Sequence, residues 1–295
     1  MVGDSVIESR GEKIFKIINN ILLAIMALAA LYPFIYVLSA SISMPYNVVT
    51  GKVLLFPEGF TLDAYKQVLG NSEIWVAYAN TIFYTVVGTA VSMLFTICGA
   101  YALSKTRLRG RKWFTIFVTL TLWFDAGMIP FYLTLRDLGL LNTRTGIIIA
   151  FACNAFKVIL LRTSFEAIPK EMEESVKVDG GNDLQVLLKV YLPLVKPALA
   201  TVGLFYAIEK WNGYFWSMIM LTDMDKIPLQ VLLKKMIVEN DLQSEFAAAL
   251  DFTSTVSAET VTYATIVVSI LPIVLVYPYI QKYFIKGMLV GAVKG

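Results

Sequence analysis

Charged side chains inside apolar stretches are the parts of this chain that could take part in chemistry. Asp125 lies in one such stretch, and the neighbouring Glu209 and Lys210 lie in another. A charge at the middle of a membrane costs about 2.5–3.5 kcal/mol on insertion scales, so charged residues kept there are functional candidates. The two carboxylates could serve an intramembrane transferase, although that reaction would require further polar groups and a metal ion.

The sequence has none of the usual patterns of a catalytic site. It contains no histidine, which removes the commonest general base and metal ligand. It has no Gly-x-x-x-x-Gly-Lys-Ser/Thr loop for nucleotide phosphates, no His-Glu-x-x-His helix and no nucleophile elbow. Cys98 and Cys153 lie in apolar runs, which does not fit a disulfide framework or a metal site. We therefore expect no enzyme activity, metal or cofactor in this chain.

The composition predicts an all-α integral membrane protein. Of the 295 residues, 57% are hydrophobic and 16% are charged, whereas soluble domains carry about 25% charged residues. Helices need about 20 apolar residues to cross the hydrocarbon, while barrel strands are about ten residues long and alternate. We expect one transmembrane domain over residues 1–295. Its six predicted spans are Ile14–Ile42, Trp75–Ser104, Trp113–Leu135, Thr145–Leu161, Pro197–Leu221 and Thr260–Ile285.

The distribution of basic residues predicts the orientation of these spans. The link Lys105–Lys112 has five basic residues in eight positions. The segments Met44–Ile74 and Thr222–Glu259 have more acidic than basic residues, and the second has a net charge of −4. Because positive loops stay in the cytoplasm, we expect Lys105–Lys112, Arg162–Lys196 and both termini on that side. The basic residues then act as membrane anchors, which argues against a nucleic-acid partner.

The segment Arg162–Lys196 begins with the pattern of a short helix followed by a sharp turn. Pro169 is suited to the start of a helix, and the acids that follow it favour the positive end. Met172 and Val176 lie four residues apart, on one face of this helix. Gly180 and Gly181 then supply the backbone freedom that a sharp turn requires.

A second short helix is predicted after the turn. Asn182 is placed to cap it, with Gln185 three residues on, as in a capping box. We expect the helix to end at Leu192-Pro193. An apolar face at helical spacing is predicted from Leu184, Leu187, Leu188 and Tyr191.

This segment resembles the "EAA" loop of membrane subunits in bacterial binding-protein-dependent ABC importers. The pattern Glu-x-x-x-x-x-Gly, nine residues, an aliphatic residue, any residue and Leu-Pro fits the chain from Glu174 through Gly180 and Val190 to Leu192-Pro193. The two alanines of the family pattern are replaced here by Ser175 and Val176.

Two other segments extend the resemblance over nearly the whole chain. Residues Trp211–Trp216 resemble the fifth-span signature of the second permease in maltose-type sugar importers, and Gly287–Gly295 resembles its tail. The chain is most similar to the branch that takes up oligosaccharides and polysaccharide fragments, which includes alginate-type importers.

The resemblance implies a six-helix permease that works with other subunits in the bacterial plasma membrane. These are a second homologous permease, two subunits that bind ATP and Mg, and an extracytoplasmic solute-binding protein that delivers a saccharide. The elbow helix of the family sits in a cleft of the ATPase, whose closure rocks the adjoining spans. In this reading Glu174 meets the ATPase and Gly180 permits the turn. The implied coupling residues are Glu174, Ser175, Asp179, Gly180, Gly181, Leu192 and Pro193.

The C-terminal tail, residues 286–295, is implied to insert between the two ATPase subunits. Its glycines would fit a narrow gap, and the residues concerned are Gly291, Lys294 and Gly295. The alternative is a frayed terminus.

The charged and aromatic residues of the third and fifth spans are implied to border the substrate path. Tryptophans would serve as flat platforms for sugar rings in a wet cavity. The alternative places the charges against the partner permease and the tryptophans at the membrane interface. The residues concerned are Trp123, Asp125, Glu209, Trp211, Asn212 and Trp216.

Two further alternatives remain at this point. A stand-alone secondary transporter would have inverted repeats and broken helices, and neither is clear in the sequence. The segment Thr222–Glu259 could reach into the binding protein or could be an ordinary solvated loop.

Overall fold

A computed structural model describes the backbone of residues 10–248 and 258–292. The described residues are almost entirely helical, as predicted. The chain divides into two compact units, one formed by residues 1–70 and 236–268, the other by residues 71–235 and 269–295. The helices are α1 (Arg10–Ser41), α2 (Pro45–Val49), α3 (Asp63–Gly70), α4 (Ser72–Ser104), α5 (Arg111–Leu120), α6 (Met128–Asp137), α7 (Arg144–Ala150), α8 (Ala155–Glu166), α9 (Lys170–Val178), α10 (Asp183–Val186), α11 (Leu192–Leu194), α12 (Lys196–Trp211), α13 (Phe215–Met220), α14 (Leu229–Ala248) and α15 (Ala258–Ala292), with a π-helical turn at Leu187–Tyr191 and a 3-10 turn at Met224–Lys226.

In the first unit, α1 exposes an apolar surface along most of its length. Its large apolar side chains from Ile14 to Leu31 are all at least 50% exposed. A continuous apolar surface of this length fits contact with lipid, where a helix satisfies its own backbone hydrogen bonds. The end of α1 is packed against other described residues, where Ala40 joins a small cluster with Val48 and Val53.

The six predicted spans are only partly reproduced as continuous helices. Within the described residues, three helices are long and apolar enough to cross a membrane: α1, α4 and the Ala258–Leu275 part of α15. The count reaches five if two bent pairs are each taken as one span. These pairs are α7 with α8, bent by 52°, and Asp183–Leu194 with α12, bent by 86°.

Local backbone features explain the breaks. The predicted span Trp113–Leu135 divides into α5 and α6 at residues 121–127, where Gly127 has a positive φ of 84°. Thr145–Leu161 divides where Asn154 caps α8. Pro197–Leu221 divides at residues 212–214, around Gly213. Sequence hydropathy carries no information about such breaks, because the residues on both sides remain apolar.

The segment Thr222–Glu259, expected as a loop, is largely helical where the structure describes it. Its residues form the 3-10 turn and α14. Leu229, Val231, Leu232 and Leu233 at the start of α14 are buried. The beginning of this segment is therefore packed and not a solvated loop, which corrects the expectation.

In the second unit, α4 is the central helix and packs against α8 and α12. Its packed face carries small residues, including Gly88, Ser92 and Ala100, which allow neighbouring helices to approach closely. One polar contact joins this face to α12: the Thr96 and Tyr206 hydroxyls lie 2.7 Å apart. Around the end of α4 the core consists of Ala100, Leu103, Val158, Leu161, Phe165, Val186, Leu187, Val190, Tyr191, Val195, Val202 and Tyr206.

Hydrogen bonds from α4 also fix the segment that precedes α14. Buried Asn80 donates from Nδ2 to the carbonyl oxygens of Asp225 and Ile227, at 2.8 and 3.1 Å. Its Oδ1 accepts a hydrogen bond from Arg144 at 2.9 Å. The Tyr84 hydroxyl donates to the carbonyl of Lys226 at 2.7 Å. These hydrogen bonds fix the segment that leads into the first turn of α14.

We predict that Asn80→Ala lowers the free energy of unfolding by about 2 kcal/mol, because two carbonyls and a guanidinium lose their partner. The midpoint of thermal unfolding of the purified protein, followed by tryptophan fluorescence, measures this loss. The exposed amide of Gln67 supplies a matched control, and Gln67→Ala should leave the midpoint within error. Equal midpoints for the two variants would contradict the structural role of Asn80.

Candidate functional sites

The segment 162–196 contains the predicted elbow. Helix α9 ends at Val178, and Gly180 follows with a φ of +78°, a conformation that side chains other than glycine rarely adopt. Gly181 is needed for a different reason: a Cβ there would lie 2.5 Å from Cγ1 of Val176. The predicted capping box is confirmed, since Asn182 Oδ1 accepts from the Gln185 N–H and Gln185 Oε1 accepts from the Asn182 N–H, both at 2.9 Å.

The prediction that the second helix has one continuous apolar face is wrong. Leu187 and Tyr191 are buried in the core, whereas Leu184 and Leu188 are 61% and 53% exposed. The second helix includes the π-helical turn Leu187–Tyr191, which changes the angular spacing of its side chains. This turn precedes Pro193, whose ring cannot fit a regular α-helical turn.

Glu173, one residue before the predicted Glu174, fixes α9 to the end of α4. Its Oε2 accepts hydrogen bonds from Lys105 Nζ at 2.6 Å and from the Tyr191 hydroxyl at 3.0 Å. Its Oε1 lies 2.7 Å from Lys177 Nζ. The buried ammonium of Lys105 also lies over the rings of Tyr191 and Tyr101, at 3.7 and 4.2 Å from their centroids. We call Glu173, Lys105, Lys177, Tyr191 and Tyr101 the Glu173 cluster.

The electrostatics keep Glu173 charged. Partial burial raises its pKa, but hydrogen bonds from Lys105, Lys177 and Tyr191 outweigh this effect and lower the pKa from its ordinary 4.5 to about 2. Burial and the neighbouring carboxylate raise the pKa of the Tyr191 phenol, which therefore stays a donor. The stability that Glu173 contributes is complete above its ordinary pKa and is lost as the pH falls from 4.5 towards 2.

Other basic residues of the link Lys105–Lys112 pair with the 162–196 segment. Arg107 forms an ion pair with Asp183 at the start of α10. Arg111 pairs with Glu166 at the end of α8 and donates from Nε to the Leu103 carbonyl at 2.7 Å. The positive-inside pattern predicts these residues as membrane anchors and does not reveal their ion pairs. One feature of the sequence was consistent with this pairing. The link Lys105–Lys112 has basic but no acidic residues, and the segment 162–196 contains several acids.

The outward surface of the elbow is chemically mixed. Glu174, Ser175 and Asp179, all predicted coupling residues, are exposed. Val178 is 87% exposed and lies beside this acidic rim. Together with the exposed Leu184 and Leu188, these residues form what we call the elbow surface. Of the two remaining predicted residues, Leu192 is partly buried and Pro193 is exposed.

A second candidate site is a cavity of about 230 Å³ at the break between α12 and α13. Five of its twelve lining residues are aromatic. Trp216 packs edge-on against Phe131, with ring centroids 4.9 Å apart, and at a tilt against Phe151. Two charged side chains, Glu209 and Lys210, also line the wall. The other lining residues are Tyr84, Ile147, Asn212, Gly213, Tyr214, Phe215, Ser217 and Pro228.

The predicted substrate-path residues fall into two groups. Glu209, Asn212 and Trp216 line the cavity, as the pattern around Trp211 suggested. Trp211 itself does not line it and packs edge-on against Tyr78, with ring centroids 6.1 Å apart.

Trp123 and Asp125 lie elsewhere. Both are exposed in the turn between α5 and α6, and neither lines the cavity. Asp125 Oδ1 accepts a hydrogen bond from the Gly127 N–H at 2.8 Å, so this carboxylate closes a turn. The expectation that Asp125 sits inside a membrane helix is therefore incorrect.

Glu209 forms a contact that was not predicted from the sequence. It forms an ion pair with Lys157 of α8, a side chain that is only 7% exposed. Lys157 Nζ also lies 3.8 Å from the centroid of the Tyr206 ring. The tail residues Lys294 and Gly295 lie outside the described residues, and so does the environment of Gly291.

Comparison with known proteins agrees with these features. Residues 96–290 match the family described as binding-protein-dependent transport system inner membrane component. The chain is 40% identical over 284 residues to the polygalacturonan/rhamnogalacturonan transport system permease protein YtcP of Bacillus subtilis, which covers 96% of this chain and 99% of the relative. It is 36% identical to the protein LplC of the same organism, over 97% of each chain.

A solved structure is similar over nearly the whole length. It is a chain of a bacterial ABC transporter involved in the import of the acidic polysaccharide alginate, with 54% identity and a TM-score of 0.88. The match covers 95% of this chain and 100% of that one. With the family match over residues 96–290 and these relatives, this chain belongs to the inner membrane components of binding-protein-dependent transport systems.

Proposed function

We propose that this chain is the permease subunit of an ATP-driven importer of acidic oligosaccharides. Two similar proteins are named for acidic polysaccharides, polygalacturonan and alginate. The observation that carries the proposal is the elbow surface, which leaves acidic and apolar side chains exposed on a segment that is otherwise tightly fixed. A cleft in a partner subunit can bury such apolar groups, which gain about 25 cal/mol for each Å² removed from water.

The partners follow from the absence of a nucleotide-binding loop in this sequence. Energy has to enter through separate subunits, so we propose two ATPase subunits that bind ATP and Mg, a second homologous permease and an external solute-binding protein. The elbow then faces the cytoplasm together with both termini, in agreement with the five basic residues of Lys105–Lys112. The tail residues Gly291, Lys294 and Gly295 are proposed to contact the ATPase pair.

The contacts of the elbow supply a route for movement. The Glu173 cluster joins α9 to the end of α4. The Arg107–Asp183 ion pair joins α10 to the link Lys105–Lys112, which follows α4. The elbow also runs into α12 through the 86° bend. A displacement of the elbow surface by an ATPase would therefore move the ends of α4 and α12 together, and α12 leads to the cavity. Rigid elements that rock around a fixed site are the usual basis of alternating access.

The proposal is tested by isolating the chain gently from its native membrane and identifying what accompanies it. We expect a second permease and an ATPase, and ATP hydrolysis that rises when a saccharide-loaded binding protein is added. The chain has broken helices, which a secondary transporter also has, so the ATP requirement is the feature that separates the two. Uptake by a lone chain without ATP would overturn the proposal.

We predict that Gly180→Val lowers substrate transported per ATP hydrolysed by about tenfold. The positive φ of Gly180 strains a β-branched residue by about 1–3 kcal/mol, so the elbow would change shape. Gly51→Val is the matched control, because Gly51 also has a positive φ, of 69°, and open space around it. Transport and ATPase rates in proteoliposomes give the ratio. A normal ratio in assembled Gly180→Val complexes would contradict the coupling role.

A double-mutant cycle on Glu173 and Lys105 tests the attachment of α9 to α4. Glu173→Gln and Lys105→Met should each lower the thermal midpoint, because each deprives a partly buried charge of a charged partner, at a cost of about 2 kcal/mol. The double variant should cost less than the sum. The exposed Glu171 on the same helix is the control, and Glu171→Gln should have little effect. Strict additivity would mean that the pair does not join the helices.

A further inference from the structure

Lys210 lies in the last turn of α12 and lines the cavity, although the sequence analysis left it out of the substrate path. Its stem crosses α4 at Gly88. A Cβ on Gly88 would lie only 2.5 Å from Cδ and 2.8 Å from Cε of Lys210. The absence of a side chain at Gly88 therefore creates the channel in which the lysine stem lies and which directs the ammonium group.

The charge of Lys210 is not balanced by a carboxylate. Its sequence neighbour Glu209 forms an ion pair with Lys157 instead. The nearest polar partner of Lys210 is the carbonyl oxygen of Phe151, at 3.5 Å from Nζ, which is a long hydrogen bond. Within the part of the chain that the structure describes, no carboxylate lies within ion-pairing distance of Lys210. Lys157 does not line the cavity, but its ion pair with Glu209 occupies the only carboxylate among the described lining residues, so Lys157, Glu209 and Lys210 together carry a charge of +1.

An ammonium group without an ion-pair partner, in a wall where five of the twelve lining residues are aromatic, can bind an anionic ligand. Burial there without a counter-charge is costly, and a ligand carboxylate would remove that cost. The flat rings of the wall fit the faces of sugar rings, so the ligand that matches both features is a sugar acid. We propose that Lys210 determines specificity for anionic saccharides by binding a uronate carboxylate during passage, and that Gly88 positions it. This inference rests on the proposed function.

The test compares two substrates with the same sugar backbone, one with charged carboxylates and one with neutral methyl esters in their place. These are a short oligogalacturonate and its methyl ester, both presented to the assembled importer in proteoliposomes with saturating binding protein. The measured quantity is the ratio of initial uptake rates, acid over ester. Selection by the binding protein is the same for every permease variant and cancels when each ratio is divided by the wild-type ratio.

Lys210→Gln should lower the ratio about tenfold, since hydrogen bonds to charged groups contribute about 1.5–3 kcal/mol. Lys210→Arg keeps the charge and should restore most of the ratio. Gly88→Ala leaves the lysine in place but displaces its stem, and it should lower the ratio in the same direction. Gly99→Ala on the same helix is the control, because its Cβ would meet only Val158 Cγ1 at an ordinary 3.8 Å.

Several outcomes would overturn the inference. An assembled Lys210→Gln importer with the wild-type ratio would show that Lys210 does not select charge. If Lys210→Gln does not assemble, the Gly88→Ala ratio decides, and an unchanged ratio there counts against the proposal. A wild-type importer that takes up neither saccharide would instead contradict the proposed function itself, so the two failures are distinguishable.

Discussion

The carboxylate of Glu173 holds together the end of the molecule on which its proposed activity depends. One oxygen accepts from Lys105 and Tyr191, while the other lies beside Lys177. Taking a carboxylate and an ammonium group out of water is costly, and the cost is offset here only because each group has several partners. If one partner is lost, the remaining charged groups are still partly buried, but fewer contacts offset their desolvation cost. The cluster therefore behaves as a unit, and it joins α9, the π-helical turn and α4.

The same constraint governs the interior of the second unit. Two polar residues on the packed face of α4, Asn80 and Thr96, are hydrogen-bonded to neighbouring elements. Lys157 is buried and finds both a carboxylate and an aromatic ring. Among the described residues, Lys210 has no ion-pair partner and makes a long hydrogen bond of 3.5 Å to the Phe151 carbonyl. The buried hydroxyls of Thr85 and Thr89 on α4 and the indole N–H of Trp211 also lack a hydrogen-bond partner there. Lys210 differs from these groups in its charge, which a ligand carboxylate can balance.

Local chemistry explains what could be predicted from the sequence. The elbow was predictable because its determinants are neighbours in the chain: a glycine with a positive φ and a capping box within four residues. The membrane class followed from composition. The ion pairs Glu209–Lys157 and Glu173–Lys105 were not predictable, since 52 and 68 residues separate their partners. The apolar face of the second elbow helix is split because of a π-helical turn. Asp125 is exposed because the helix breaks between α5 and α6. Hydropathy encodes neither feature.

Helix α12 links the two candidate sites through its geometry. It begins after Val195 at the 86° bend, where Pro197 suits the first turn, and it ends beside the cavity. Its 16 residues span about 24 Å at 1.5 Å per residue. Tyr206 fixes it to α4 through Thr96, and the Lys210 stem lies against the same helix at Gly88. A rotation imposed at the bend would therefore move α12 and α4 as one packed pair, and it would change which groups the ammonium of Lys210 faces.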